Sequence, residues 1–272
     1  MAFLEVSNLS KIYPAKRRLP WLPRDAAFVA VDDVSFEIDK GEILGLVGES
    51  GCGKSTLSRL IMQLLEPSQG QVRLAGKELS LGSNRLQRRQ RLDFQMIFQD
   101  PHASLNPRRS VFATLAEALC QRQPHLRGTQ LRAAVIELLE SCGLDEQAAD
   151  RYPHSFSGGQ RQRIAIARAL APRPQLIVAD EPVSALDVSI QSQILMLLLE
   201  LRQRYDLTLL FISHDLGVVR YIADRVMVME KGRIVEKNST EALFQSPVHP
   251  YTQRLLAAIP RLPFAEHAHA SG

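Results

Sequence analysis

Residues 48–55 contain glycines, a lysine and a serine in an order that can bind the phosphates of a nucleotide. The segment matches GxxxxGK followed by Ser or Thr, and it comes directly after the apolar run Ile43–Val47. Its glycines would let backbone N–H groups curl around phosphate oxygens, Lys54 would reach the β- and γ-phosphates, and Ser55 would hold Mg²⁺. The alternative is a glycine-rich turn that only caps a helix, but the preceding buried strand favours the phosphate site. The predicted nucleotide contacts are Gly48, Glu49, Ser50, Gly51, Cys52, Gly53, Lys54, Ser55 and Thr56.

Two carboxylates, Asp180 and Glu181, follow the apolar run Leu176–Ala179. In open α/β sheets ligands bind outside the carboxyl ends of the strands, so both acids are expected beside the phosphate site. Asp180 would support Mg²⁺, and Glu181 would accept a proton from an attacking water. Many strands end in two acids, so this pair by itself is weak evidence.

A second possible anion-binding helix start is formed by Ser157, Gly158, Gly159 and Gln160. A serine N-cap and two glycines at a helix start can present backbone N–H groups to phosphate oxygens. A chain with two such starts can bind phosphate twice.

The longer segment Phe156–Arg163 resembles the LSGGQ signature of ABC ATPases, and the chain resembles that family over residues 1–240. The resemblance implies that the signature of one subunit covers the γ-phosphate held by the P-loop of its partner. The functional unit would be a dimer that binds ATP and Mg²⁺, closes around the nucleotides and reopens after hydrolysis.

The resemblance also assigns roles to residues outside these motifs. Gln99 resembles the Q-loop glutamine that senses Mg²⁺ and the attacking water, and His214 resembles the switch histidine that contacts the γ-phosphate. Asp187 belongs to a D-loop segment, and Tyr13 aligns with an aromatic residue that stacks on adenine. Packing of Tyr13 against a strand remains the alternative. The expected catalytic residues are Glu181, His214, Gln99 and Lys54, and the expected metal ligands are Ser55, Gln99 and Asp180.

Three segments, 98–101, 104–108 and 247–252, resemble the oligopeptide, dipeptide and nickel importer group within these ATPases. The implied cargo is a peptide or a nickel chelate. The implied partners are a second ATPase subunit, paralogous or identical, two integral-membrane permease subunits and, indirectly, a solute-binding protein. The histidines near the end, His249, His267 and His269, are expected to be solvated and not to bind metal.

Apolar patterns predict an α/β architecture with a parallel sheet. With the resemblance, this becomes a P-loop NTPase (RecA-like) core with a mainly parallel sheet, an antiparallel β subdomain and an inserted α-helical subdomain. The core would span 1–98 and 164–240, the helical and signature subdomain 99–163, and a C-terminal extension 241–272. Antiparallel strands at a sheet edge are expected at 3–6 and 34–38, buried parallel strands at 43–47, 176–179 and 207–212, and helices within 108–143 and 189–205.

Composition narrows the setting in which the chain works. The 272 residues are 45% hydrophobic, as expected of a globular protein. Their net charge of +4 and isoelectric point near 9.1 suit binding to nucleic acid, binding to an anionic membrane surface, or a soluble protein with a basic face, and charge alone does not choose among these. No apolar run approaches the ~20 residues of a membrane-spanning helix, and the start lacks a secretory signal pattern. We expect a peripheral protein on the cytoplasmic face of the inner membrane. The proline-rich basic segment Pro14–Pro23 is expected to be an exposed loop and 265–272 to be disordered.

Other ABC ATPases fit the sequence less well. DNA-repair and chromosome-organising ATPases generally need coiled-coil arms or zinc modules, and neither pattern occurs between Gly53 and Ser157. Translation-associated proteins usually join two cassettes, and exporters commonly fuse the cassette to membrane helices. We expect no nucleic-acid partner, although the basic charge keeps a soluble ATPase acting on nucleic acid as the alternative function.

Overall fold

A computed structural model describes residues 2–14, 27–79, 85–100 and 104–258 of the chain. Most of the segment predicted as an exposed loop, 14–23, and the whole of the tail predicted as disordered, 265–272, lie outside the described residues.

The centre of the fold is a six-stranded sheet in the order β10-β9-β3-β8-β7-β6. All neighbouring strands are parallel except β10, which pairs antiparallel with β9. The three buried parallel strands expected from the sequence are confirmed as β3, β7 and β8, whereas β6, β9 and β10 were not predicted. The strands are β3 Ile43–Val47, β6 Phe94–Ile97, β7 Leu176–Asp180, β8 Thr208–Ser213, β9 Arg225–Glu230 and β10 Arg233–Ser239.

A second, antiparallel sheet has the order β2-β1-β4-β5, with β1 Leu4–Tyr13, β2 Phe28–Ile38, β4 Gln69–Leu74 and β5 Lys77–Leu79. The antiparallel pairing of the first two strands is confirmed. The expectation that both lie at a sheet edge was wrong for β1, which pairs with β2 on one side and β4 on the other. The polar and apolar residues of β1 alternate because one face of this sheet packs on the core while the other is more exposed. Such an alternation occurs in inner strands as well as in edge strands.

Nine α-helices and two short 3-10 helices, Glu146–Asp150 and Pro153–Ser155, are present in the described parts of the chain. The α-helices are α1 Lys54–Ile61, α2 Arg85–Gln90, α3 Val111–Arg122, α4 Gly128–Ser141, α5 Gly158–Leu170, α6 Val188–Tyr205, α7 Leu216–Ile222, α8 Thr240–Gln245 and α9 Pro250–Ala257. The predicted helical stretch 108–143 is confirmed as α3 and α4, which pack on each other and on α5. The predicted helix 189–205 is confirmed as α6.

In none of the described segments does a helix combine the length and the apolar character needed to cross a membrane.

The core consists of two hydrophobic clusters, one on each face of the central sheet. Ile43, Ile177 and Phe211 point into the cluster with the helical region, whereas Leu44 and Val178 point into the cluster with α1 and the antiparallel sheet. Successive side chains on a strand face opposite sides, so strands covered on both faces are apolar throughout. This double coverage leaves the carboxyl ends of the parallel strands as the edge where polar residues can gather.

The substitution Ile177→Val should lower the free energy of unfolding by about 0.5–1.5 kcal/mol, because it removes one methyl group from the packed centre of β7. Urea denaturation of the purified chain measures the change. The matched control is Ile12→Val on β1, where the side chain is already substantially exposed, and the expected change is within about 0.5 kcal/mol. Equal losses for both variants would contradict the double-covered core.

Candidate functional site

The glycine-rich loop connects β3 to α1 and is enclosed by backbone from two other strands. A Cβ atom at Gly48 would lie 2.3 Å from the carbonyl oxygen of Met229 on β9. At Gly53, φ is 115° and a Cβ would lie 2.3 Å from the carbonyl oxygen of Ala30 on β2. Side chains are therefore excluded at both positions, and the loop keeps a curled backbone that can direct N–H groups at an anion.

Lys54, the first residue of α1, is only 5% exposed although it carries a charge. Its Nζ donates hydrogen bonds to the carbonyl oxygens of Gly48 at 2.6 Å and Glu49 at 3.0 Å. These bonds hold the ammonium over the loop, where a phosphate would provide a stronger partner. The neighbouring thiol of Cys52 is buried, and burial raises its pKa above the ordinary value, so it contributes mainly backbone to the loop.

Asp180, the last residue of β7, is 7% exposed, and only one of its oxygens has a partner. Oδ2 accepts a hydrogen bond from Ser58 Oγ at 3.1 Å, while Oδ1 is buried and has no hydrogen-bond partner among the described residues. Burial raises the pKa of this carboxyl, and the bond from Ser58 acts in the opposite direction. A buried oxygen that lacks a partner is costly unless something else satisfies it.

A hard cation is the group that this arrangement fits. Asp180, Ser55 and Gln99 line one cleft of about 360 Å³, and carboxylate, hydroxyl and amide oxygens are the ligands that Mg²⁺ accepts. Ser58 was not predicted from the sequence. The sequence feature that could have indicated Ser58 is its position three residues after Ser55, because residues three apart on a helix are neighbours and the two hydroxyls then lie close together on α1.

Glu181 follows Asp180 in a backbone conformation that is unusual for a residue with a side chain. Its φ is 49°, its N–H donates to the carbonyl oxygen of Ile212 at 2.9 Å, and Ser184 Oγ donates to its carbonyl oxygen at 3.1 Å. Residues held in the left-handed region cost about 1–3 kcal/mol and are frequent at functional sites. These bonds turn the Glu181 side chain away from the strand direction and fix it at the sheet edge.

The Glu181 carboxylate brings together two further residues that the sequence singled out. Gln99 Nε2 donates to Oε2 at 3.0 Å, and His214 Nδ1 lies 3.1 Å from the same oxygen. The three side chains follow β6, β7 and β8, which are adjacent in the sheet. A carboxylate placed next to an amide and an imidazole in this way can hold and accept the proton of a water molecule.

These side chains and the loop face a common cleft of about 540 Å³. The predicted residues that line it are Ser50, Gly51, Gly53, Lys54, Ser55, Thr56, Gln99, Glu181 and His214. Glu49 and Cys52 instead line an adjoining cleft on the outer side of the loop, together with Tyr251. Ser50 and Gly51 line both clefts, so the two clefts meet at the loop, with Lys54 in the first and Tyr251 in the second.

An aromatic pair stands at the rim of the larger cleft. Phe28, which is 59% exposed, lines the cleft, and the ring of Tyr13 stacks on it with centroids 6.5 Å apart and planes 20° from parallel. Phe28 was missed by sequence reasoning because its proximity to Tyr13 comes from the cross-strand register of β1 and β2. Adenine stacking by Tyr13 stays a prediction, and Phe28 is the aromatic ring that borders the cleft directly.

The second predicted anion site, at the start of α5, has the geometry of a capped helix. Ser157 Oγ accepts from the Gln160 N–H at 3.4 Å, and Gln160 Oε1 accepts from the Ser157 N–H at 3.1 Å. Gly159 packs against Ile190, where a Cβ would come within 2.5 Å of a methyl carbon. Asp187 is exposed at the start of α6.

Within one chain the two anion sites are separate. As far as the structure describes the chain, neither residues 157–160 nor Asp187 line the cleft around Lys54.

Two family models match the sequence. One, described as ABC transporter, matches residues 31–184, and the other, described as the C-terminal region of oligopeptide/dipeptide transporters, matches residues 235–270. The oligopeptide transport ATP-binding protein AppF of Bacillus subtilis is 49% identical over 259 residues, covering 94% of this chain and 78% of that protein. The dipeptide transport ATP-binding protein DppF of Haemophilus influenzae is 47% identical over 259 residues, covering 95% and 78%.

Solved structures share the fold. A dimeric post-hydrolysis state of the ATP-binding cassette MJ0796, bound to ADP and Pi, superposes with a TM-score of 0.76 at 28% identity and covers 87% of this chain and 98% of that one. The cassette cbiO1 of Clostridium perfringens, part of the ABC transporter complex cbiONQ, gives a TM-score of 0.75 at 26% identity and covers 96% of both chains. The α/β architecture expected from the sequence, with its P-loop, is thereby confirmed.

The substitution Ser58→Ala should lower Mg²⁺-dependent nucleotide hydrolysis by about 10–100-fold, because it removes the protein partner of Asp180 Oδ2. The rate is measured against Mg²⁺ concentration, and the variant should need more Mg²⁺ for half-maximal activity. The matched control is Ser141→Ala, which removes a hydroxyl that also bonds a carbonyl three residues back but touches no carboxylate. An unchanged Mg²⁺ requirement in Ser58→Ala would show that this hydroxyl does not position Asp180.

Proposed function

This chain belongs to the ABC transporter family of ATP-binding proteins, and from that premise we propose that it is the ATP-hydrolysing subunit of an importer for peptides. The observation that carries the proposal is the meeting of Gln99, Glu181 and His214 within 3.1 Å at the edge of the cleft that also contains Lys54. The relatives named for oligopeptide and dipeptide transport support a peptide cargo over a nickel chelate. They lend no support to an ATPase that acts on nucleic acid.

Each group of residues in the cleft has a different role in hydrolysis. The loop amides and the Lys54 ammonium bind and orient the β- and γ-phosphates, which keeps the terminal phosphorus within reach of a water. Glu181 accepts a proton from that water. The water oxygen forms a bond to the γ-phosphorus as the bond between this phosphorus and the leaving ADP oxygen breaks. His214 and Gln99 hold the carboxylate in place, and His214 is near enough to the cleft to contact the γ-phosphate.

The Mg²⁺ ligands in this scheme are Ser55, Asp180 and Gln99, as the partnerless oxygen of Asp180 supports. When bound, the ion would neutralise charge on the β- and γ-phosphate oxygens. Ser58 then acts on the metal only through Asp180, whose second oxygen it orients.

A second ATPase subunit, paralogous or identical, completes the site. The start of α5 lies apart from the Lys54 cleft of its own chain, so Ser157 and Gly158 can reach a γ-phosphate only on a partner. ATP bound to one P-loop and to the partner's α5 start favours the closed pair, and loss of the γ-phosphate removes that preference. The related cassette MJ0796 has been solved as a dimer, which supports this arrangement.

A membrane partner has a place to bind beside Gln99. A groove of about 470 Å³ lies between the end of α1, β6 and α3, and it is lined in part by Leu64, Leu92, Phe98 and Ala118. Leu64 and Phe98 are exposed apolar side chains, and Phe98 also borders the cleft that contains Asp180. A permease segment seated there would move Phe98 and with it Gln99. The proposed location is therefore the cytoplasmic face of the membrane, where the chain would be a peripheral subunit and a solute-binding protein would act through the permeases.

The substitution Glu181→Gln should slow ATP hydrolysis by about 10²–10⁴-fold while nucleotide binding persists, because the amide keeps the shape of the side chain but cannot accept the proton. Single-turnover phosphate release and MgATP binding are measured on the assembled transporter. Glu200→Gln, the same change at an exposed position of α6, serves as control and should hydrolyse normally. Near-normal hydrolysis by Glu181→Gln would refute its role as the base.

The substitution Ser157→Arg should prevent ATP-dependent pairing of subunits but leave MgADP binding to the P-loop of the same chain unchanged. The arginine is too large for a phosphate to approach the start of α5, and it lies outside the Lys54 cleft. Light scattering with ATP measures pairing in the Glu181→Gln background. Ser192→Arg, the same change at an exposed position of α6, should pair normally. Loss of MgADP binding in Ser157→Arg would contradict the separation of the two anion sites.

A further inference from the structure

The outer face of the P-loop is in contact with the C-terminal segment through one buried tyrosine. Tyr251, in the first turn of α9, is 4% exposed, and its hydroxyl oxygen accepts a hydrogen bond from the backbone N–H of Glu49 at 3.0 Å. The two residues are 202 positions apart in the chain. Burial raises the pKa of Tyr251 above its ordinary value, so the hydroxyl stays protonated at neutral pH and serves as a neutral partner.

The peptide group that Tyr251 contacts is the one that holds the P-loop lysine. The N–H of Glu49 and the carbonyl of Gly48 belong to the same planar peptide. That carbonyl accepts from Lys54 Nζ at 2.6 Å. The hydrogen bond from the Glu49 N–H to Tyr251 therefore fixes the peptide plane so that the Gly48 carbonyl points at the Lys54 ammonium. It also polarises the peptide, which makes the carbonyl oxygen a stronger acceptor for Lys54.

The segment before α9 is anchored so that the tyrosine is presented at this point. The backbone N–H groups of Val248 and His249 both donate to the Glu236 carboxylate of β10 at 2.9 Å. His249 Nδ1 caps α9 by accepting from the Tyr251 N–H at 3.2 Å, so this histidine has a structural role. Arg254 lies over the Tyr251 ring at 5.7 Å and pairs with Glu230 at the end of β9.

We propose that Tyr251 is a positioning residue for nucleotide binding, which holds the Gly48–Glu49 peptide and through it Lys54 in the orientation that receives the phosphates. A loop that is ordered before the ligand arrives loses less conformational freedom on binding, so the tether raises nucleotide affinity. It also makes the C-terminal segment part of the nucleotide site, although α9 lines only the outer side of the loop. The inference rests on the proposed nucleotide site around Lys54.

The substitution Tyr251→Phe tests it, because it removes the hydroxyl and keeps the ring. Isothermal titration of the full-length chain with MgADP should give a Kd about three- to tenfold higher than that of the wild type, as expected for one lost hydrogen bond. The binding stoichiometry should stay unchanged. A variant that was merely less well folded would lower the stoichiometry and leave the Kd alone. Tyr221→Phe is the matched control, since its hydroxyl faces Met196 and not the P-loop.

Amide hydrogen exchange gives a second measurement that does not depend on binding. In the nucleotide-free protein, the amide of Glu49 should exchange faster in Tyr251→Phe than in the wild type or in Tyr221→Phe. Lys54→Ala distinguishes the nucleotide site itself from the role of Tyr251. Failure of the wild type to bind MgADP, or unchanged binding by Lys54→Ala, would overturn the proposed site itself. Loss of binding in Lys54→Ala together with a wild-type Kd and Glu49 exchange rate in Tyr251→Phe would overturn only the role of the tyrosine.

Discussion

The structure depends on holding two opposite charges almost out of water at one edge of a parallel sheet. The Lys54 ammonium and the Asp180 carboxylate are both nearly buried, and burying a charge is costly unless hydrogen bonds or a partner charge compensate it. Lys54 is compensated by two loop carbonyls, whereas Asp180 is satisfied on one oxygen only, by Ser58. The site is therefore electrostatically incomplete by itself. In the proposed nucleotide site, phosphate oxygens would pair with Lys54 and a hard cation would pair with Asp180.

The side chains proposed to act in hydrolysis are positioned by strand ends and not by long loops. Gln99, Glu181 and His214 follow three adjacent strands whose spacing the sheet hydrogen bonds determine, so their mutual distances of 3.0 and 3.1 Å are consequences of the fold. The strained backbone at Glu181 is stabilised by bonds to Ile212 and Ser184, which belong to the same framework. Preorganisation of this kind reduces the rearrangement that catalysis would otherwise require.

Several different parts of the fold meet at the P-loop. The antiparallel sheet contributes Ala30 and Phe28, the β9 strand contributes Met229, and α9 contributes Tyr251. Each contact constrains the loop backbone from a different direction. The helical region does not contact the loop in this way. The predicted second anion site, at the start of α5, lies away from the loop, and α3 borders the groove beside Phe98. In the proposed function, nucleotide binding and contact with partner subunits would therefore involve different layers of the chain.

Local sequence determined the P-loop, the acids after β7, the capped start of α5 and the buried strands β3, β7 and β8, because each depends on a short pattern of residue types within one element. Tertiary structure alone decided which distant residues meet them. Phe28 reaches Tyr13 through strand register, Ser58 reaches Asp180 across the core, and Tyr251 reaches Glu49 over 202 positions. The sequence likewise did not determine that β1 lies inside its sheet. An alternating polar and apolar pattern shows which face of a strand is buried, but it does not show how many strands flank that strand. Hydrogen bonds between distant residues depend on how the elements pack, and no local pattern records that packing.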